Sequence, residues 1–210
     1  MSVTERGRRS KTGRTQEERS AAMRVRLLDA TIDCLVEYGY SGTTTTRVAE
    51  RAGVTRGAQV HHFPTKTDLV TAAVRHLATR RAEVASAWTD RLAGSADPVG
   101  DTLDLLWQIH QGPVFAAGME LLLAARTDAE LRTQVAEVEP EIGAMVVEFG
   151  KRLFGEQAGT AQFRDYWDTA MDTVRGLLIG NWAHPDDGQL DARWQRAKAS
   201  LRSMAPPLVS

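Results

Sequence analysis

Histidine and cysteine are the residues of this sequence whose chemistry depends most on spacing. His61 and His62 are adjacent, so on a helix their rings would point about 100° apart and would share a metal ion poorly. His110 lies on an apolar stripe with no His, Cys or carboxylate cluster nearby, which favours a core position over a ligand or catalytic role. Cys34 has apolar neighbours and is predicted to be buried. We therefore predict no metal, no cofactor and no catalytic residue, and nothing in the sequence calls for an enzyme.

A second group of residues is suited to binding an anion. Thr44, Thr45 and Thr55 stand at the starts of short predicted helices, where unpaired main-chain amides attract phosphate oxygens. Arg56 follows at the start of the last of these helices. Residues 1–66 hold 12 Lys and Arg against 7 Asp and Glu, and the remaining residues hold 14 against 20. The N-terminal third is therefore predicted to meet a polyanion, although the whole chain has a net charge of −1.

Three short helices would position these residues. Apolar residues at three- and four-residue steps predict a helix over residues 20–38, which Gly39 would terminate. Further helices are predicted over residues 45–52 and 56–63, with Gly53 permitting a tight turn between them. This arrangement is a helix-turn-helix, whose last helix presents its N-terminal side chains to the major groove of DNA.

The same segment resembles the N-terminal domain of the tetracycline-repressor (TetR) family. The resemblance covers about residues 20–70 without a gap. The residues that carry it are Leu28 and Ala30, Gly39-Tyr40, Thr43-Thr44, Val48-Ala49, Ala52-Gly53-Val54-Thr55, Gly57-Ala58, His62-Phe63 and Lys66. One departure is Gln59-Val60, where the family usually has an aliphatic residue followed by tyrosine, so one expected phosphate contact is lost.

The resemblance implies which side chains touch DNA. Thr44, Thr45 and the start of the second helix would hold phosphates, and His62 and Lys66 would clamp the DNA backbone. The recognition helix or its edge would carry Thr55, Arg56, Gly57, Gln59 and His61. Arg56 would read a guanine, because its fork fits O6 and N7, whereas Arg47 would read a base or hold a phosphate. Gln59 would pair with adenine or be a solvated helix residue. The predicted DNA-binding residues are Thr44, Thr45, Arg47, Thr55, Arg56, Gly57, Gln59, His61, His62 and Lys66.

The rest of the chain also has the pattern of helices. The segment Thr65-Lys66-Thr67-Asp68 is a capping box that opens a long helix, and no convincing strand follows. The predicted fold is all-α, with an N-terminal three-helix helix-turn-helix DNA-binding domain and a C-terminal helical ligand-binding and dimerisation domain. We predict a disordered basic arm over residues 1–19, a DNA-binding domain over 20–66 and the C-terminal domain over 67–210. The arm is either a solubilising tail or a segment that reaches phosphates or a minor groove.

Residues 98–204 hold more apolar and aromatic side chains than DNA binding requires. Ordinary core packing explains each one singly, but together they could line a cavity. The resemblance implies that this domain binds a small-molecule effector. The predicted ligand-binding residues are Trp107, His110, Phe115, Met119, Phe149, Trp167, Met171 and Arg175, and Gln111, Glu120 and Asn181 are further polar candidates.

The last two predicted helices, at about residues 160–182 and 189–204, carry narrow apolar stripes. In the last helix the stripe steps by four, three, four and three residues, which is typical of a seam between packed helices. Its members are Leu190, Trp194, Ala197, Leu201 and Met204. In proteins of the TetR type the last two helices form the homodimer interface, whereas packing within one chain is the alternative.

The resemblance implies a homodimeric repressor that binds a near-palindromic operator in double-stranded DNA and is released by its effector. One cysteine, no run long enough to span a bilayer and an N-terminus without an apolar signal region predict a cytoplasmic protein. Two alternatives stay open. One is a DNA-binding regulator without an effector, and the other is a small-molecule-binding helical protein whose DNA-binding domain is vestigial.

Overall fold

Helices make up the described chain, which confirms the all-α prediction. A computed structural model describes residues 15–183 and 188–206, and no strand occurs in these two ranges. The first four helices are α1 (Gln16–Gly42), α2 (Thr45–Ala52), α3 (Arg56–His62) and α4 (Lys66–Ala93). They are followed by α5 (Pro98–His110), α6 (Pro113–Ala125), α7 (Ala129–Phe154), a short 3₁₀ helix (Gly155–Gly159), α8 (Ala161–Asn181) and α9 (Leu190–Met204).

Helix α1 begins earlier than the sequence pattern predicted. Thr15 and Glu18 form a reciprocal capping box, in which each side chain accepts from the other residue's main-chain amide. Residues 16–19 are therefore helical, and the predicted disordered arm is wrong for them. The rest of that arm, residues 1–14, lies outside the described residues. At the other end Gly39 has φ 66°, as a glycine stop requires, but the chain resumes a helical turn as far as Gly42.

The first three helices and the start of α4 form a small unit, which we call the head. Its core is built by apolar side chains from α1, α2 and α4 and by Phe63 at the end of α3. Leu28 of α1, Val48 of α2 and Leu69 of α4 are buried together with Phe63, which follows α3. Burying these side chains supplies the hydrophobic free energy that holds the short helices α2 and α3, which would not be stable alone.

Helix α4 connects the head to the C-terminal domain. It has 28 residues, which corresponds to about 42 Å at 1.5 Å per residue. Ala73 belongs to the core of the head, whereas Val70 and Leu77 pack with Leu121 of α6 and Leu131 of α7 in a second core. The same helix is therefore part of both units.

A third core joins α5, α6, α8 and α9 at the far end of the molecule. Trp107 of α5 stacks on Trp194 of α9 with their ring centroids 4.7 Å apart, and Leu201 is buried in the same cluster. Trp194 and Leu201 of the α9 stripe thus face their own chain, and the expectation of a seam between two copies is wrong for these two residues, whereas Met204 of the same stripe is exposed. Helical periodicity identifies the buried face of a helix but not the partner that buries it.

Two further helices have features that an apolar pattern or a proline alone does not specify. Residues 115–125 are nearly all apolar, but Leu122 and Leu123 of α6 are exposed. Helix α7 is not split by Pro140, since it runs from Ala129 to Phe154 with this proline inside it.

Candidate DNA interface and ligand cavity

The turn between α2 and α3 is held by caps at both helix starts. The amide of Arg47 donates to Thr44 Oγ1 and the amide of Ala58 donates to Thr55 Oγ1, each at 3.2 Å. Gly53 ends α2 in the left-handed region, with φ 63° and ψ 40°, which a residue with a Cβ adopts only at a cost. Local sequence chemistry therefore fixes the direction in which α3 leaves the turn.

The N-terminal end of α3, the recognition helix, faces solvent. Thr55, Arg56 and Gly57 are exposed, as is His61 one turn later. Arg56 forms no ion pair with any described residue, so its guanidinium is available to an external acceptor. The exposed guanidinium of Arg56 offers hydrogen-bond donors of the kind that base edges in a major groove accept.

Gln59 does not belong to that surface, and its prediction as a base-reading residue is wrong. Its side chain is fully buried, and its Nε2 donates to the main-chain oxygen of Phe63 at 2.6 Å. Its Oε1 has no hydrogen-bond partner among the described residues. The position lies on the inner face of α3, which explains why an aliphatic residue is usual there. The next residue, Val60, is exposed, so the polar side chain of this pair is buried and the apolar one faces solvent.

Two predicted phosphate contacts are engaged elsewhere in the head. Arg47 Nη1 donates to the oxygen of Gly42 at 2.5 Å, and its guanidinium lies 4.6 Å from the ring centroid of Tyr38. Lys66 Nζ donates to the oxygen of Tyr40 at 2.7 Å, and burial lowers the pKa of this lysine. Each side chain would have to leave an internal contact to reach DNA.

The basic residues of α1 near the recognition helix were missed by the sequence analysis. Arg24 lies over the ring of Phe63, 4.5 Å from its centroid, and Arg26 donates to the main-chain oxygens of Ala52 and Gly53. His62 is half-buried beside them, and its pKa is lowered by burial, by His61 and by Arg24. Their spacing gives no signal, because residues two positions apart lie on nearly opposite sides of a helix, and only the contacts with Phe63, Ala52 and Gly53 bring both arginines to this region.

A cavity of about 250 Å³ lies in the C-terminal domain between α4, α5, α6, α7 and α8. Six of the eight predicted ligand-binding residues line it, namely His110, Met119, Phe149, Trp167, Met171 and Arg175. Helix α4 supplies a wall that the sequence analysis did not include, made of Val74, Leu77, Ala78 and Ala82. These four residues recur at three- and four-residue steps along one side of α4, and their apolar spacing was the available signal.

Trp107 and Phe115 are not part of the cavity lining. Trp107 is buried in its stack with Trp194, and Phe115 packs against the rings of His110 and Trp182. The prediction that they line the cavity is wrong, because their rings fill the core beside it. The polar candidates Gln111, Glu120 and Asn181 also lie outside the lining.

Comparison with known proteins decides the family. The model of bacterial regulatory proteins of the tetR family matches residues 27–73, which span the helix-turn-helix. The HTH-type transcriptional regulator CymR of Pseudomonas putida is 35% identical over 196 residues, which cover 91% of this chain and 93% of CymR. The chain belongs to the TetR family. The HTH-type transcriptional repressor AcnR of Corynebacterium diphtheriae is 30% identical over 189 residues, covering 87% of this chain and 93% of AcnR.

Solved structures share the whole fold with this TetR-family chain. A TetR-family member from Streptomyces coelicolor has a TM-score of 0.65 at 24% identity, covering 88% of this chain and 99% of its own. The multidrug binding protein EbrR, solved in complex with ethidium, has a TM-score of 0.60 at 23% identity, covering 85% and 97%. The family match and the curated relatives make the chain a DNA-binding transcriptional regulator of the TetR type, and the solved structures show its fold, a helix-turn-helix with a helical C-terminal domain.

The described residues contain neither a membrane-spanning helix nor a cluster of metal ligands. None of the helices in the described ranges is long and apolar enough to cross a membrane. Within the same residues no group of three or more His, Cys, Asp or Glu side chains is placed to hold a metal ion.

Proposed function

We propose that this TetR-family regulator acts in the cytoplasm as a homodimeric repressor, and that a small molecule binding in the cavity releases it from its operator. The observation that carries the proposal is the course of α4. Leu69 and Ala73 of this helix are buried in the head, and Val74, Leu77 and Ala78 begin the cavity wall within one turn. A ligand that displaces α4 therefore displaces the head.

DNA contact is assigned to the exposed surface of the head. Arg56 would read a guanine, and Thr44, Thr45 and Thr55 would hold phosphates with the helix amides beside them. Lys66 and His62 would contact the DNA backbone in the complex. A phosphate can replace the Tyr40 oxygen as the acceptor of Lys66, because a hydrogen bond between two charged groups is stronger than one to a carbonyl oxygen. Gly57 would let the backbone of α3 approach the groove closely.

Dimerisation is assigned to the outer faces of α8 and α9, the faces that their own chain leaves exposed. On α8 these include Gly176, Ile179 and Gly180, and on α9 they include Ala199 and Ser203. Small residues on both helices would let two pairs pack closely as a four-helix bundle. Two heads held in this way would meet successive major-groove faces, about 34–36 Å apart, on a near-palindromic site.

Release follows from the need for both heads to fit at once. Two contacts tie α4 to α1 inside the head, one from Lys66 Nζ to the oxygen of Tyr40 and one from His76 Nε2 to Asp29 Oδ1 at 2.8 Å. A shift of α4 is thereby passed to the whole head and changes the spacing of the two recognition helices. A protein of the same fold, EbrR, binds a small molecule, since it was solved in complex with ethidium. A small change in spacing removes the benefit of bivalent binding.

Selection of genomic DNA fragments by the purified protein tests this proposal. We expect enrichment of a near-palindromic sequence with half-sites one helical turn apart, occupied by two chains per site. The variant Arg56→Ala should lose the enrichment, whereas Arg132→Ala, an exposed arginine on α7, should keep it. A site occupied by a single chain, or no enrichment by the wild type, would contradict the proposal.

A further inference from the structure

The described lining of the cavity is mostly apolar and carries a single permanent charge, which is positive. Most of the described lining side chains are aliphatic, aromatic or thioether groups, and no described lining residue is an Asp or a Glu. Arg175 of α8 is the one described lining residue that is always charged, and about two-fifths of its side chain is exposed. It therefore stands at the mouth of the cavity rather than at its floor.

The polar groups deeper in the lining are bonded to main-chain oxygens. Thr102 Oγ1 donates to the oxygen of Pro98 at 2.6 Å, and His110 Nδ1 lies 2.7 Å from the oxygen of Leu106. Because a carbonyl oxygen only accepts, His110 Nδ1 carries a proton in this arrangement. These bonds direct the Thr102 hydroxyl proton and the His110 Nδ1 proton at the backbone, so neither proton is offered to a ligand, and the neighbouring lining residues Leu105, Leu106 and Met119 are apolar.

Arg175 itself is held only loosely. Its Nη1 lies 3.5 Å from Asp172 Oδ1, one turn back on the same helix, and the Asp172 side chain is mostly exposed. An exposed pair at this distance contributes little, so a better acceptor can displace Asp172. A carboxylate can accept two parallel hydrogen bonds from the guanidinium fork, a geometry that Asp172 does not have here.

We propose that the effector is a compact aromatic or alicyclic monocarboxylate, with its rings among Leu105, Met119 and Trp167 and its carboxylate on Arg175. This inference rests on the proposed function and names the ligand class for it. The volume of about 250 Å³ is close to the lower end of ~300–1,000 Å³ that is usual for small-molecule sites, which favours one or two rings. A cationic ligand would lose its hydration at a lining that offers an arginine and no described carboxylate.

Three probes with one carbon frame and different charge test the proposal. The probes are 2-naphthoate, 2-naphthamide and 2-naphthylmethylammonium, and their binding to the full chain is measured by calorimetry and by quenching of Trp fluorescence. We expect the carboxylate to bind at least about tenfold more tightly than the amide, and the ammonium ion to bind most weakly.

The variant Arg175→Gln should reduce carboxylate binding to the level of the amide while leaving amide binding nearly unchanged. Arg175→Lys should restore part of the preference, since an ammonium group keeps the charge but not the fork. Asp172→Asn should strengthen carboxylate binding by a few-fold. Arg164→Gln is the matched control on the same helix, because Arg164 bonds to the oxygen of Gly159 and does not line the cavity.

The outcomes separate this inference from the proposed function. Equal or tighter binding of the ammonium ion, or an unchanged carboxylate preference in Arg175→Gln, overturns the ligand class but leaves the cavity as an effector site. Failure of all three probes to bind overturns the ligand class as well. In that case the genomic selection above, repeated with cell metabolite extract added to the bound fragments, shows whether any small molecule releases the DNA.

Discussion

Gln59 places an amide where the head has an apolar interior. Its Oε1 is a buried acceptor without a described partner, and an unsatisfied buried polar group costs about 1–3 kcal/mol. Gln59→Leu removes that acceptor and adds apolar burial, although it gives up the bond to the Phe63 oxygen. We expect the free energy of unfolding to rise by about 1 kcal/mol in urea denaturation.

The matched variant Gln59→Ala should lower the free energy of unfolding by about 1–3 kcal/mol, since it leaves a cavity and loses the hydrogen bond. Operator affinity should be the same in Gln59→Leu and the wild type. A large loss of affinity in a well-folded Gln59→Leu protein would restore a base-reading role for this residue.

His62 makes the stability of the head depend on pH. Its pKa is lowered from the usual 6.5, mainly by burial and further by His61 and Arg24. The unfolded chain therefore binds a proton at higher pH than the folded chain does, so this contribution to stability is present above pH 6.5 and is lost as pH falls below it. Urea midpoints at pH 7.5 and 5.5 should differ less in His62→Gln than in the wild type, and an equal difference would contradict this account.

At the scale of elements, the turn between α2 and α3 depends on one glycine. An alanine at position 53 would have to adopt φ 63°, and its Cβ would lie 3.3 Å from Arg26 Nη2, which donates to the oxygen of Gly53 at the end of α2. We expect Gly53→Ala to lower the free energy of unfolding by about 1–3 kcal/mol. Gly143→Ala in α7 is the control, since a Cβ there meets nothing within 4 Å, and it should raise stability by about 0.5–1 kcal/mol. Equal effects of the two substitutions in thermal or urea unfolding would contradict the assigned role.

Elements near the turn could be predicted from sequence because local chemistry specifies them. Thr44, Thr55 and Thr65 cap their helices as expected, and each bond joins residues only three positions apart. The face of a helix that meets a partner depends on distant residues instead. The stripe of α9 was therefore recognised as a packing surface, but Trp194 and Leu201 pack within their own chain, and Gln59 was placed on the wrong side of a seven-residue helix.

The ligand site also combines features that local sequence predicts with features that depend on distant residues. Residues such as Met119 and Trp167 could be selected because apolar periodicity marks inward faces, but periodicity does not distinguish a side chain that borders a cavity from one that fills the core. Trp107 and Phe115 have the same pattern and are packed away. The contribution of α4 to the cavity wall depends on how α4 crosses α6 and α7, which no local pattern encodes.

At the scale of the whole molecule, the cavity and the DNA-binding surface should be separable by mutation. Ala78 of α4 is buried and lines the cavity, so Ala78→Phe would occupy part of the space. We expect this variant to bind operator DNA normally and to resist release by the effector, as measured by fluorescence anisotropy with and without 2-naphthoate. Overpacking costs about 1–3 kcal/mol, so its folding is checked by circular dichroism. Release of Ala78→Phe at the wild-type concentration of effector would contradict the coupling through α4.

The most direct test is an anisotropy titration of the selected operator duplex at several salt concentrations. Comparison of the wild type, Arg56→Ala and the control Arg132→Ala isolates the recognition helix from other positive charges. We predict that binding of the wild type weakens as salt rises, because phosphate contacts release counterions. Arg56→Ala should lose about 1–3 kcal/mol of binding free energy and should no longer discriminate against a duplex altered at the contacted base pair, whereas Arg132→Ala should match the wild type. Wild-type affinity and base discrimination in Arg56→Ala would contradict the placement of α3 in the major groove.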